Sequence, residues 1–165
     1  MRVDMRLSAA SVRRGIARLK SARLRLIADC DLICSRLADI GLATAVQIVP
    51  NQTGFLRDSI AIVKKGDARW VVVARSEYAA FIEFGTGVVG EGTYPGTLPA
   101  AWSYRSGERE NPGAHDPDDP TVWFWLGDDG RYHATRGREG AGYMAAAADQ
   151  ILLQAGSIAR EVMAR

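Results

Sequence analysis

The sequence predicts an α+β fold in which an antiparallel sheet of two hairpins is packed by a long N-terminal helix and a C-terminal helix, with a long irregular insert between the hairpins. Three observations predict it. Apolar residues recur at helical spacing through Ser8–Val49 and again through Tyr143–Met163, and two pairs of short β-prone runs lie between them, each pair joined by turn chemistry. The length of 165 residues with 47% apolar side chains suits one domain, divided as 1–49 helix, 50–87 hairpin and hinge, 88–120 insert, and 121–165 second hairpin and helix.

The first helix is defined by Val12, Ile16, Leu19, Leu26, Cys30, Ile33, Leu37 and Ile40, a single stripe at spacings of three, four and seven. Gly15 and Gly41 weaken it locally, and Pro50 ends it. Some forty residues make about 60 Å of helix, too long to pack throughout on one small sheet. Part of it must therefore lie against something else, or the helix must break at a glycine. Cys30 and Cys34 stand one helical turn apart, a poor disulfide geometry without a second ligand pair for zinc, so they read as small half-buried side chains in a reducing cytoplasm.

Ser59–Lys64 and Arg69–Arg75 read as the first hairpin, turning at Lys65-Gly66-Asp67, with Trp70-Val-Val-Val as its most β-prone run. Ser76–Gly90 follows, the densest apolar and aromatic stretch. Tyr78–Phe84 reads as a short helix capped at Ser76, with a continued strand as the alternative. Tyr78, Phe81, Ile82 and Phe84 supply the bulk expected of a core. Glu83 lies among them and cannot be buried without hydrogen bonds, for which the N–H groups of the Gly85–Thr86–Gly87 turn or a nearby arginine are the closest sources. Gly85, Gly87 and Gly90 also spell G-x-G-x-x-G, with Glu110 twenty residues on. Dinucleotide binding needs a helix opening at the third glycine, and Gly92, Pro95, Gly96 and Pro99 forbid one, so the stretch reads as a turn and no cofactor is expected.

Val88–Pro120 holds five of the six prolines and reads as irregular. Thr121–Leu126 and Arg131–Thr135 form the second hairpin around Gly127–Gly130. Met144, Ala147, Ile151, Ala155, Ile158 and Val162 make one stripe of the last helix. Neither a nucleophile elbow, a phosphate-binding loop nor a zincin motif occurs. His115 with Asp116, Asp118 and Asp119 reads as an acidic solvated loop rather than a metal site, and His133 as strand surface. Trp70, Trp123 and Trp125 read as packing aromatics rather than a carbohydrate platform. An enzyme is not expected, nor a secretory signal or a membrane span.

Charge is unevenly placed although the net charge is only +2. Met1–Arg25 carries eight basic residues against Asp4, an excess of seven; Ser106–Pro120 carries five acidic residues against Arg109, an excess of four. Each run reads either as a solvated face or as one half of an inter-subunit contact. The candidate contacts are Arg13, Arg14 and Arg18 on one side and Glu108, Asp116, Asp118 and Asp119 on the other.

Three motifs in order carry a resemblance. Pro50-Asn-Gln-Thr-Gly-Phe-Leu-Arg-Asp-Ser-Ile60 is similar to P-x-x-T-G-x-L-R-x-S-I, Tyr78-Ala-Ala-Phe-Ile-Glu-Phe-Gly-Thr-Gly87 to Y-A-x-x-V-E-F-G-T-G, and Thr135–Ala147 to T-x-G-x-x-A-x-P-F-M-x-x-A. The chain thereby resembles the neck or tail-component proteins of long-tailed bacteriophages and prophages, which act at the head–tail junction. The resemblance implies a non-catalytic virion protein, present in the host cytoplasm during assembly. It further implies a homo-oligomeric ring of roughly six or twelve copies around the DNA channel, with other head-completion and tail proteins as partners and no membrane. It also implies structural roles for Thr53, Gly54, Leu56, Arg57 and Ser59, for Tyr78, Glu83, Phe84, Gly85, Thr86 and Gly87, and for Thr135, Gly137 and Met144. Among these, Thr53 and Gly54 shape a turn, Arg57 is a candidate partner of Glu83, and Met144 anchors the last helix. Two departures stand out: Gly142 replaces the proline of P-F-M, and the insert is long. The alternative reading from the residues alone is a nucleic-acid-binding module that uses the basic N-terminal helix, including non-specific contact with genomic DNA.

Overall fold

The computed structural model describes residues 8–50, 54–104, 116, 118–126 and 129–165. Thr53 and Glu108, named above, lie outside the described residues, as does His115.

The first helix, α1 (Ala9–Ile48), runs for 40 residues without a break, so neither glycine interrupts it. Ser8 caps its start, its Oγ accepting from the Ser11 N–H at 3.2 Å. Val49 ends it in an extended conformation, which the following Pro50 enforces. Gly41 is needed for packing: a Cβ there would stand 2.7 Å from Ile151 Cδ1. After the single-turn α2 (Phe55–Asp58) come β1 (Ile60–Gly66) and β2 (Arg69–Ala74), paired antiparallel from Ile60↔Ala74 to Lys64↔Trp70, with a bulge before Gly66. The short helix α3 (Ala79–Phe84) is followed by a second single turn, α4 (Gly87–Gly90). Beyond the insert lie β3 (Trp123–Leu126), β4 (Tyr132–Thr135), the two-residue β5 (Gly137–Arg138) and α5 (Tyr143–Met163).

The architecture is α+β as the sequence predicts, but the hairpins remain two separate two-stranded sheets. One sheet, β1–β2, packs on α1; the other, β3–β4, leads through β5 to isolated bridges Thr86↔Arg138 and Gly87↔Gly137. Helix α5 runs alongside α1, with Ala45 and Val49 sharing a core with Tyr143 and Ala147, and Arg36 reaching Glu161 at 2.8 Å. These contacts pair the C-terminal half of α1 with α5 in antiparallel fashion.

Besides the packing of β1–β2 on α1, one side chain of α1 ties down the turn end of the hairpin. Asp31 accepts from Lys64 Nζ at 2.7 Å, from Trp70 Nε1 at 3.0 Å and from the Ala68 N–H at 3.0 Å. Ala68 has φ +50, a conformation that alanine rarely adopts, and Asp31 holds it there. The hydrogen bonds from Lys64 and Trp70 lower the Asp31 carboxyl below the usual carboxylate range. A depressed folded pKa gives stability above the unfolded value that is lost as pH falls through the folded one. Asp31→Asn should therefore melt below the native chain at neutral pH, and the gap should close on acidification below the ordinary carboxylate range. Thermal melts of both chains across that range check this; a gap independent of pH would show that Asp31 acts only by shape.

Candidate functional site

The three motifs converge on one junction at the start of α5. Leu56 and Ile60 from the first, Ala79 from the second, and Tyr143 and Ala147 from the third share a single buried cluster with Ala45 and Val49. Gly54 opens α2 at φ +79. Ser59 ties the first motif to the second: its Oγ donates to the Leu56 carbonyl at 2.7 Å and accepts from the Ser76 N–H at 3.3 Å. The second and third motifs lie backbone to backbone. Ala141 N–H donates to the Ile82 carbonyl at 2.8 Å, and Gly142 N–H to the Glu83 carbonyl at 3.1 Å. Glycines allow this approach, as a Cβ on Gly85 would meet Gly140 N at 2.7 Å and one on Gly87 would fall on the Arg136 carbonyl oxygen. Thr86 is buried at the bridge, and Thr135 Oγ1 accepts from the Gly137 N–H at 3.0 Å.

Glu83 is only 4% exposed, and its bonds correct the expectation for it. The partners are neither the Gly85–Gly87 turn nor Arg57, which is exposed. Its Oε2 accepts from the Met144 N–H at 2.8 Å and its Oε1 from the Ala145 N–H at 3.0 Å. The carboxylate thus caps α5 from another element, where unpaired N–H groups and the helix dipole favour negative charge. Its spacing explains the burial. Ala79 and Glu83 are four apart on α3 and share its inward face. The expected aromatic core is displaced outward accordingly: Tyr78 and Phe81 are exposed, Tyr78 stacking on Phe55 with centroids 6.3 Å apart. Phe84 packs edge-on to Tyr94 at 4.9 Å and against Trp102 at 4.8 Å, so these two residues of the insert fold back over α3. The cap of α3 also differs: the Ser76 carbonyl, not its hydroxyl, accepts from Ala79.

The remote cap accounts for the departure at Gly142. This N-cap residue has φ +59, which proline cannot adopt, and its side-chain role is taken by Glu83. Met144, the second residue of α5, has its N–H on Glu83 and packs against the core. Beside the carboxylate, burial and then the Glu83 charge push the Tyr143 phenol up to about 12, and its hydroxyl donates to the Ala79 carbonyl at 3.2 Å. The signal for this cap was the lack of any capping side chain at Gly142 together with a carboxylate amid apolar residues.

Among the described residues the charged candidates are not brought together. Arg13, Arg14 and Arg18 are exposed on α1, and no described ion pair engages them. Asp118 is exposed, with its N–H on Asp116 Oδ1 at 2.9 Å. Asp119 already has partners: Thr121 Oγ1 at 2.6 Å and Arg136 at 2.7 Å. The negative charge it can offer a neighbour is correspondingly reduced. Cys30 and Cys34 are free and half-buried, with burial raising the Cys34 thiol. Among the described residues no cluster of three or more His, Cys, Asp or Glu is placed to hold a metal, and no helix is long and apolar enough to cross a membrane.

A junction made of a remote helix cap, glycine crossings and an apolar cluster has the character of a structural module. The model of a protein family described as "Bacteriophage HK97-gp10, putative tail-component" matches residues 28–85, a stretch that contains the first motif whole and the second through Gly85. Over that stretch the chain is similar to a phage tail-component family, in agreement with the resemblance drawn from the motifs, and the role so described is structural. No curated protein and no solved structure matches the chain.

Proposed function

We propose that this chain is a structural virion protein of the phage head–tail junction, a neck or tail-completion component that acts by assembling into a ring around the DNA channel. The observation that carries the reading is the N-terminal half of α1. Asp31 and Arg36 tie the helix to the hairpin and to α5, yet 22 residues of helix precede Asp31, about 33 Å by the rise per residue. That half exposes both apolar and basic side chains, a surface suited to a neighbour that is a different part of a second copy.

Electrostatic steering then follows from the charge asymmetry. The arginines of one subunit meet the acidic insert of another, or an acidic face of an adjoining ring, and set orientation and encounter rate more than affinity. Reversing Arg13, Arg14 and Arg18 to glutamate should impair assembly without shifting the unfolding midpoint, and the difference from the native chain should shrink at high salt. Adding Asp118→Lys should restore part of it. Native assembly by the triple reversal at low salt would contradict the steering. Loss of DNA binding with assembly intact would instead favour the reading in which the basic helix serves the genome.

A further inference from the structure

The arginines of α1 flank a feature that charge does not explain. Val12, Ile16, Leu19, Leu24 and Leu26 are all exposed, Leu19 by 53% and Leu24 by 68%. Ile16, Leu19 and Val12 continue, turn by turn, the side of the helix that further along carries Ala38, Gly41 and Ala45 into the packing against α5. The packing face thus extends past the end of its own partner. An apolar helical stripe of this kind is the recognition element of a helix-in-groove contact.

The same chain carries a matching groove. Between α1, β2 and α5 lies an open cleft of about 440 Å³, whose lining includes Leu37, Trp70, Val72, Met144, Ala148 and Ile151. By the packing densities of protein interiors it has room for about three or four leucine-sized side chains. Among its lining residues the charged one is Arg69, and the rest of the lining is mostly apolar.

We infer that the apolar stripe of α1 in one copy, centred on Ile16 and Leu19, docks into the α1–β2–α5 cleft of a second copy. The inference rests on the assembly reading and names its contact. Charge selects the head-to-tail arrangement. Two projecting halves laid against each other would bring together two sets of Arg13, Arg14, Arg18, Lys20, Arg23 and Arg25, a like-charge contact. The stripe and the cleft are different surfaces, so the contact repeats from copy to copy and closes into a ring when the rotation permits. The apolar stripe supplies the affinity and the arginines beside it the orientation.

The test is chain mixing by disulfide cross-linking at high protein concentration, with Cys30 and Cys34 both replaced by alanine. One population carries Leu19→Cys and the other Ala148→Cys. A covalent dimer that forms in the mixture and is absent from the Ala148→Cys sample alone is expected. Ile16→Asp with Leu19→Asp should abolish self-association, and because both residues are exposed the unfolding midpoint of the monomer should not change. A cross-link between two Leu19→Cys chains, no cross-link in the mixture, or unchanged association of the double aspartate chain would each overturn the inference. Rings that persist with the cleft and stripe uncoupled would overturn this contact and leave the assembly reading standing.

Discussion

Replacing Glu83 with alanine should destabilise the domain by about 3–4 kcal/mol, because two charge-assisted hydrogen bonds are lost and two helix N–H groups are left without an acceptor in a buried place. The Met144 and Ala145 N–H groups have no substitute nearby, since Gly142 at the N-cap has no side chain. The favourable meeting of a negative charge with the N-terminus of a 21-residue helix is lost as well. Glu83→Gln keeps one acceptor and the shape, and should cost roughly half as much. Equilibrium denaturation of the two variants checks this ordering. Equal stability of Glu83→Ala and the native chain would mean that α5 is held by its apolar face alone.

Gly137→Ala is expected to have an effect of similar or greater size. A Cβ at Gly137 would fall on the Thr86 carbonyl oxygen and stand 2.8 Å from Gly87 Cα, and the backbone there has φ +101. Both obstacles are backbone, which cannot move aside as a side-chain end does. Strain from the left-handed conformation and overpacking together come to about 3–5 kcal/mol. For a chain of this size that lowers the melting temperature by roughly 10 °C. The bridges Thr86↔Arg138 and Gly87↔Gly137 would separate, and with them the second and third motifs. Gly130→Ala is the internal comparison: it also has a positive φ, +72, but no atom within 4 Å of the added Cβ. It should lose only the conformational part, about 1 kcal/mol. A Gly137→Ala chain no less stable than Gly130→Ala would contradict the close approach of the two motifs.

Helical spacing of apolar residues made α1 and α5 legible, and β-prone runs on either side of Lys65-Gly66-Asp67 did the same for the first hairpin. Pro50 made the C-terminal end of α1 legible. The motifs were also legible as a set, and the structure brings Leu56, Ile60, Ala79, Tyr143 and Ala147 from the three of them into one cluster. What the sequence did not reveal was pairing across distance. Glu83 and Met144 are 61 positions apart, and nothing local says that a carboxylate on α3 ends a helix so far along the chain. Large aromatic side chains suggested a core through Tyr78 and Phe81. The inward face of α3 instead carries Ala79 and Glu83, because the approach of α5 leaves space only for a small residue and for the carboxylate that its N-terminus needs. The helix length was legible, and so was the excess of α1 over its own domain. That α1 stays unbroken follows from Gly41 being used for close packing against Ile151 rather than for a bend.

If this protein acts by assembling, as proposed, the projecting half of α1 is the element that reaches the next copy. Native mass spectrometry of the chain, alone and mixed with the proposed head-completion and tail partners, is the test. The prediction is a closed oligomer of one uniform copy number in at least one of those samples, lost on truncation of α1 before Asp31 while the truncated chain stays folded. A chain that remains monomeric in every mixture, or a truncated chain that assembles as the full chain does, would contradict it.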